Sequence, residues 1–168
     1  VVLSQKKNYK SSIKYYKKAF SSNPYNCELL NNYAISLRNT NDYEHCEEML
    51  KKAISYENKF IKSYLNLSNC YLDQEKYNKA LEVLHYGKKY DKDNIRFDQN
   101  IISIYLQVYN KDKNPSDLRK CIESLDKINI NESFDQKLIC NYALAYLWND
   151  NLEKSSDLFK ISEKISQV

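Results

Sequence analysis

The sequence has almost no glycine or proline, since its 168 residues contain one Gly and two Pro. Compact β proteins need many Gly and Pro turns, so this scarcity indicates helices joined by short turns. A single Gly also excludes a glycine-rich phosphate loop. The sequence contains no run of 18 apolar residues that would predict a membrane span, and no secretory signal is visible at the start. We therefore expect an all-α protein without membrane insertion.

Patterns typical of metal sites and enzymes are also lacking. The five cysteines form no C-x-x-C pair, and the two histidines have no ligand-like neighbours four residues away on either side. We predict free thiols, a cytoplasmic or nuclear protein, no metal and no cofactor. The spacings suggest no Ser-His-Asp grouping, so we do not expect an enzyme. The net charge of +4 mixes 26 basic with 22 acidic residues, which is typical of a solvated surface and disfavours nucleic acid as a partner.

The sequence does contain internal repetition. Segments 9–24, 43–58 and 77–92 each open with Tyr and follow one another at intervals of 34 residues. Three, seven and ten residues after that Tyr stand a small, a bulky and a second small residue: Ser12, Tyr16 and Ala19; Cys46, Leu50 and Ala53; Ala80, Leu84 and Gly87. These offsets share one helix face, and short side chains let two helices approach closely. We therefore predict that Gly87 is a close-contact residue inside a helix, not a turn residue.

The half of each unit before that Tyr repeats as well. Leu30, Tyr33, Ala34 and Leu37 match Tyr64, Leu67, Ser68 and Tyr71 at the same shift, and polar breaks such as "SSNPYN" separate the units. The pattern resembles the tetratricopeptide repeat, a 34-residue helix-turn-helix unit. Its Trp, Gly, Ala and Pro slots fall here on Leu30 and Tyr64, Ala34 and Ser68, Ala80 and Ala53, and Pro24. The resemblance implies a right-handed α-solenoid, a superhelix of antiparallel helix hairpins.

The predicted array is one domain over residues 1–168. It comprises a partial unit 1–26, in which Val1 to Ser4 end a first helix, and units 27–60, 61–94, 95–134 and 135–168. The fourth unit has seven additional residues around the polar stretch "YNKDKNPSD", which predict a long hairpin loop around residues 109–117. Its second helix is predicted to restart near Pro115, which suits the first position of a helix. Neither end has a capping helix and the chain does not begin with Met, so we expect a piece of a longer protein.

The resemblance also implies a function, because first helices in this family line a concave groove that binds extended or helical peptides. One groove slot holds Asn in four units, at Asn32, Asn66, Asn100 and Asn141. A row of amides can hold a peptide backbone, although Asn is also the residue that the family favours at this slot. Trp148, at the end of its helix, is either an interface anchor or a packing residue.

A second set of groove residues is similar to the carboxylate clamp of chaperone-binding members. Asn69, Asn100 and Lys137 match that clamp, but Leu65 and Asn141 replace two of its three cations. The loss of two cations removes most of the charge-assisted hydrogen bonds to a terminal carboxylate, so the sequence disfavours chaperone-tail binding.

The function predicted from the sequence is a scaffold for protein–protein interaction that grips a peptide or partner helix. Two alternatives stay open. One is a targeting region of a larger enzyme, such as a glycosyltransferase or a ubiquitin-ligase assembly. The other is a ribonucleoprotein subunit, like the repeat-bearing subunit of the signal recognition particle. Lysine-rich patches at Lys6–Lys7, Lys14 and Lys17–Lys18 fit RNA binding, and they also fit a solvated helical face.

Overall fold

The computed structural model describes residues 2–131 and 134–166, with the side chains of residues 2–7 and 166 left undescribed. The described residues form nine helices and no strand. They are α1 (Val2–Ser22), α2 (Cys27–Asn39), α3 (Tyr43–Tyr56), α4 (Ile61–Leu72), α5 (Tyr77–Lys88), α6 (Ile95–Asp112), α7 (Pro115–Leu125), α8 (Gln136–Trp148) and α9 (Leu152–Ser166). The chain divides within α6 into two compact units, 1–97 and 98–168, and each is described by itself.

Several helices begin at a polar side chain that accepts a hydrogen bond from a backbone N–H of the first turn. These N-cap residues are Asn26, Asp42, Asn114 and Asp135, at the starts of α2, α3, α7 and α8. Each cap provides an acceptor for an N–H group that has no partner inside its helix. At α7, Pro115 follows the cap at the first helical position, where its missing N–H costs nothing, as the sequence predicts.

The turns between first and second helices contain non-glycine residues whose backbone is in the left-handed conformation, with positive φ. Asn41, Glu75, Lys113 and Asp150 have φ angles of 65°, 56°, 53° and 55°. Each lies two residues before the next helix, so the four hairpins close in the same way. Glycine adopts this backbone conformation most easily, whereas other L-residues adopt it at some cost. A chain with a single Gly therefore still makes tight turns, because Asn, Glu, Lys and Asp occupy these positions.

The structure corrects the expectation of a long loop around residues 109–117. Helix α6 continues to Asp112 and α7 begins at Pro115, which leaves two residues in the turn. The additional residues therefore lengthen the first helix of the hairpin, since α6 has 18 residues where α4 has 12, while α7 has 11. The physical reason is that Leu106 is buried and the helical period continues past it, so the polar residues beyond form the exposed end of a packed helix.

The start of the chain needs a second correction. We expected Val1 to Ser4 to end one helix before another began, but α1 runs without interruption from Val2 to Ser22. This stretch contains neither Gly nor Pro, the residues that most strongly stop a helix.

The core of unit 1 forms where the predicted small and bulky positions meet. Successive helices α1 to α5 pack against one another, and α2 also packs against α4. At Gly87 an added Cβ would lie 2.7 Å from Cγ of Tyr64 and 2.8 Å from Cε1 of Phe97. The predicted close-contact role of Gly87 is confirmed, since no side chain fits between this helix and its neighbours.

The core of unit 2 combines side chains from α6, α7, α8 and α9. Its fully buried members are Ile102, Cys121, Ile139, Tyr142, Ala143 and Ala145. At its edge Oδ1 of Asp126 accepts hydrogen bonds from Lys154 Nζ at 2.6 Å and from Tyr146 Oη at 2.8 Å. The bond from Lys154, and then that from Tyr146, lowers the pKa of Asp126 below its ordinary value despite partial burial. Through these two hydrogen bonds Asp126, which follows α7, connects the end of α7 to α8 and to α9.

We predict that Gly87→Ala destabilises the protein although Ala is the better helix former. The substitution gains about 1 kcal/mol in helix propensity, but overpacking against two aromatic rings costs about 1–3 kcal/mol. Urea unfolding should show a lower free energy of unfolding. In a double-mutant cycle with Phe97→Leu the combined loss should be smaller than the sum of the two single losses, because the smaller side chain relieves part of the overlap. A stabilised Gly87→Ala variant would contradict the close contact.

We also predict that Asp126→Asn lowers the urea midpoint at pH 7 and not at pH 2. A carboxyl whose pKa is lowered by folding stabilises the protein above its unfolded pKa of about 3.9, and that stabilisation disappears as the pH falls through the folded pKa. The effect should stay within about 1 kcal/mol because the pair is partly exposed. Asp157→Asn, which removes the more exposed pair with Lys160, is the control. A difference between Asp126→Asn and wild type that does not change with pH would show that the ionised group is unimportant.

Candidate functional site

Two ion pairs connect the first helices of unit 1. The Nζ of Lys62 on α4 lies 3.1 Å from both carboxylate oxygens of Glu28 on α2. Farther along the same helices, Nε of Arg38 lies 3.3 Å from Oδ2 of Asp73, the residue that follows α4. All four side chains are partly exposed, so these pairs contribute little stability. These four charges on the first helices α2 and α4 are therefore paired within the protein.

An asparagine pair lies on the same two helices. The Nδ2 of Asn66, a predicted groove residue, donates to Oδ1 of Asn31 at 2.8 Å. Asn31 is only 2% exposed, so this bond satisfies a buried amide. Asn32 and Asn69 are half-buried on these helices, and their side chains have no hydrogen-bond partner among the described residues. Asn66 therefore contributes to packing between repeats, whereas the groove role predicted for Asn32 and Asn69 stays a prediction.

Unit 2 contains a cavity of about 220 Å³ between its first helices, α6 and α8. Its lining residues are spaced by three and four along each helix: Ser103, Leu106, Gln107 and Asn110 from α6, and Asn141, Leu144 and Trp148 from α8. The structure thus brings two predicted groove residues, Asn141 and Trp148, into one cavity. We name this site the α6–α8 cavity.

An aromatic pair with a lysine stands at the Trp148 end of this cavity. The rings of Tyr109 and Trp148 are 5.4 Å apart, and Nζ of Lys113 lies 5.2 Å from the first ring centre and 5.4 Å from the second. These distances are within the range of cation–π attraction. Lys113 Nζ also donates to Oδ1 of Asn110, a lining residue, at 3.3 Å. Trp148 is 37% exposed, so the group is accessible from solvent.

Sequence reasoning missed Tyr109, Asn110 and Lys113 as site residues. All three lie in the polar stretch that predicted a loop. Asn110 lines the cavity, and Tyr109 and Lys113 contact Trp148 beside it, because α6 continues to Asp112. A signal was present in the spacing of Tyr105, Tyr109 and Lys113, which recur every fourth residue as on one face of a helix.

The remaining predicted groove residues lie outside the α6–α8 cavity. Asn100 is half-buried on α6, and Lys137 is exposed near the start of α8. The asparagine row through four units therefore stays a prediction.

The cysteines of the described residues are all free thiols. Cys27, Cys46, Cys70 and Cys121 are buried, and burial raises the pKa of Cys121 to about 12, which makes it a poor nucleophile. In residues 2–131 and 134–166 no three His, Cys, Asp or Glu side chains are grouped closely enough to hold a metal ion. None of the helices described is both long and apolar enough to span a membrane.

We predict that Asn66→Ala and Asn32→Ala differ in their effect on stability. Asn66→Ala leaves the buried amide of Asn31 without its partner and should lower the free energy of unfolding by about 1–2 kcal/mol. Asn32→Ala removes an amide without a described partner and should change stability by less than about 0.5 kcal/mol. Urea unfolding of both variants checks this difference. Equal losses would contradict the structural role of Asn66.

Comparison with known proteins identifies the fold and the family. The family model described as tetratricopeptide repeat matches residues 1–26, 28–60 and 61–85, which is half of the chain. No curated protein matches the sequence. The matching model indicates no catalytic family.

Three solved structures are similar to most of the chain. MamA is 16% identical with a TM-score of 0.69, and the match covers 97% of this chain and 91% of MamA. TTC0263, a thermophilic TPR protein in Thermus thermophilus, is 16% identical with a TM-score of 0.61 over 98% of this chain and 87% of that one. YrrB, described as a TPR protein with an unusual peptide-binding site, is 14% identical with a TM-score of 0.50 over 89% of this chain and 91% of that one.

At these identities the similar structures show the fold, and they confirm the predicted class of an all-α helical-repeat solenoid. The family model adds the repeat itself and confirms the resemblance seen in the sequence. The chain belongs to the tetratricopeptide repeat family, whose stacked helix pairs are scaffolds for protein–protein interaction.

Proposed function

We propose that this chain binds a peptide segment of a partner protein on the face formed by its first helices, and that the α6–α8 cavity receives one side chain of that segment. The observation that carries the proposal is that Asn141 and Trp148 line one cavity, at whose edge Trp148 packs against Tyr109. A volume of about 220 Å³ is below the roughly 300–1,000 Å³ of small-molecule sites, so it fits a side chain better than a cofactor.

The lining suits a peptide because it is mostly uncharged and combines two kinds of group. Gln107, Asn110 and Asn141 offer amide donors and acceptors that match backbone N–H and C=O groups. Leu106, Leu144 and Trp148 offer apolar contact, and an exposed Trp is a common anchor at interfaces. The charge beside this lining is that of Lys113 on the aromatic rings, so the proposed ligand is a neutral segment with one apolar side chain.

YrrB supports the proposal as a TPR protein with an unusual peptide-binding site. The chaperone-tail ligand stays disfavoured, because the lining contains no Lys or Arg that could bind a terminal carboxylate. The two alternatives, a targeting region of a larger enzyme and a ribonucleoprotein subunit, stay predictions.

A displayed library of random peptides, selected on the wild-type chain, tests the proposal. We expect selected peptides to lose at least tenfold in affinity, by fluorescence anisotropy, on a variant that combines Asn141→Ala with Trp148→Ala. The matched control combines Asn23→Ala with Tyr25→Ala, an exposed Asn and an exposed aromatic outside the cavity, and should bind within twofold of wild type.

Circular dichroism and urea unfolding must show that both variants fold. Two results would overturn the proposal. One is that the selected peptides bind the cavity variant as tightly as wild type, and the other is that no peptide is enriched above background.

A further inference from the structure

Helix α1 carries an unusual share of the positive charge. It contains six lysines and no Asp or Glu, and its first turn lacks an acidic residue. The whole chain has 26 basic and 22 acidic residues, so the residues outside α1 have 20 basic against 22 acidic. The net positive charge of the protein therefore comes from this one helix.

The four of these lysines whose side chains are described form a line on the surface. Lys10, Lys14, Lys17 and Lys18 are all exposed. At 100° and 1.5 Å per residue they lie within about 100° of the helix circumference and over about 12 Å of its length. No carboxylate among the described residues pairs with their ammonium groups. We name this set the α1 lysine stripe.

Four lysines on other helices are placed differently. Lys51, Lys52, Lys120 and Lys160 each lie 2.6–3.3 Å from a carboxylate one turn away on the same helix. Like charges three and four residues apart, as in the α1 lysine stripe, destabilise a helix. Nothing within the described structure offsets this repulsion, which is typical of a surface that meets a partner of opposite charge.

The packing of α1 holds the stripe toward solvent. On its other side, the ring of Tyr16 stacks on Tyr33 of α2 at 6.0 Å, and Oγ of Ser12 donates to Oγ of Ser36 at 3.0 Å. Beside the stripe, Tyr15 is 74% exposed, a large aromatic side chain with little protein contact. The exposed surface therefore combines a row of cations with one apolar ring.

We propose that the α1 lysine stripe binds an acidic segment of a partner protein, with Tyr15 as the apolar contact beside the charges. Carboxylates spaced along such a segment pair with the lysines and remove their mutual repulsion. The aromatic ring adds contact area with few rotatable bonds. This surface lies in unit 1 and uses no residue of the α6–α8 cavity, so it is independent of the function proposed above.

The observations favour an acidic protein segment over nucleic acid or membrane. The stripe contains Lys and no Arg, whose planar fork is the better match for phosphate. It has one exposed aromatic ring, whereas single-stranded nucleic acids bind to several stacking rings along a basic groove. The residues outside α1 have 20 basic against 22 acidic side chains, so the net attraction for an anion is confined to this helix and matches a short acidic segment.

The test compares three anionic probes at one salt concentration. They are a labelled 16-residue peptide with Glu at every third or fourth position, a 16-nucleotide oligouridine, and phosphatidylserine vesicles, with the Gln version of the peptide as the neutral control. The stripe variant changes Lys10, Lys14, Lys17 and Lys18 to Gln, which keeps helix propensity. The matched control changes Lys51, Lys52, Lys120 and Lys160 to Gln, for the same loss of charge.

We expect the wild type to bind the Glu peptide more tightly than oligouridine or vesicles. The stripe variant should lose at least tenfold in affinity for that peptide, and the control variant should lose less than twofold. The Tyr15→Ala variant should bind the Glu peptide two- to fivefold more weakly than wild type, without a change in the salt dependence of binding.

Three outcomes would overturn the proposal. They are tighter binding of oligouridine or vesicles than of the peptide, equal losses in the stripe and control variants, and no binding of the Glu peptide.

Discussion

The fold depends on how closely neighbouring helices approach one another at positions with short side chains. At Gly87 the approach is so close that a single carbon would lie within 3 Å of Tyr64 and Phe97. Ala34, Ala53 and Ala80 are fully buried at the corresponding small positions. Because helix pairs stack through these contacts, the spacing of small and bulky residues also decides which face of each helix remains available for a ligand.

The sequence contained enough information for the helix pairs and not enough for the turns. Small and bulky residues at helical offsets predicted the repeat, the close contact at Gly87 and the helix start at Pro115. The left-handed turn residues could not be predicted, because Glu75 and Lys113 are not typical of that conformation. The length of α6 was missed because its end is polar, and only packing further back along the helix shows that it continues.

For the candidate site, the sequence predicted some positions but not their neighbours. Asn141 and Trp148 were named from repeat slots, and they lie in one cavity because both are on α8. The same slot in α4 gives Asn66 a structural partner, Asn31, which the repeat pattern does not predict. An amide at a fixed repeat position can therefore either pack or bind, and the difference depends on the neighbouring helix. Composition could not reveal the charge of α1 either, because acidic residues elsewhere balance it.

Residue 113 combines two requirements that favour different side chains. Its φ of 53° closes the hairpin and favours Gly or Asn, while its ammonium group lies on the rings of Tyr109 and Trp148. A substitution that relaxed the turn would stabilise the fold and remove the cation from the two rings beside the α6–α8 cavity. Under the proposed function, a screen for thermal stability and a screen for binding would therefore select different residues at this position.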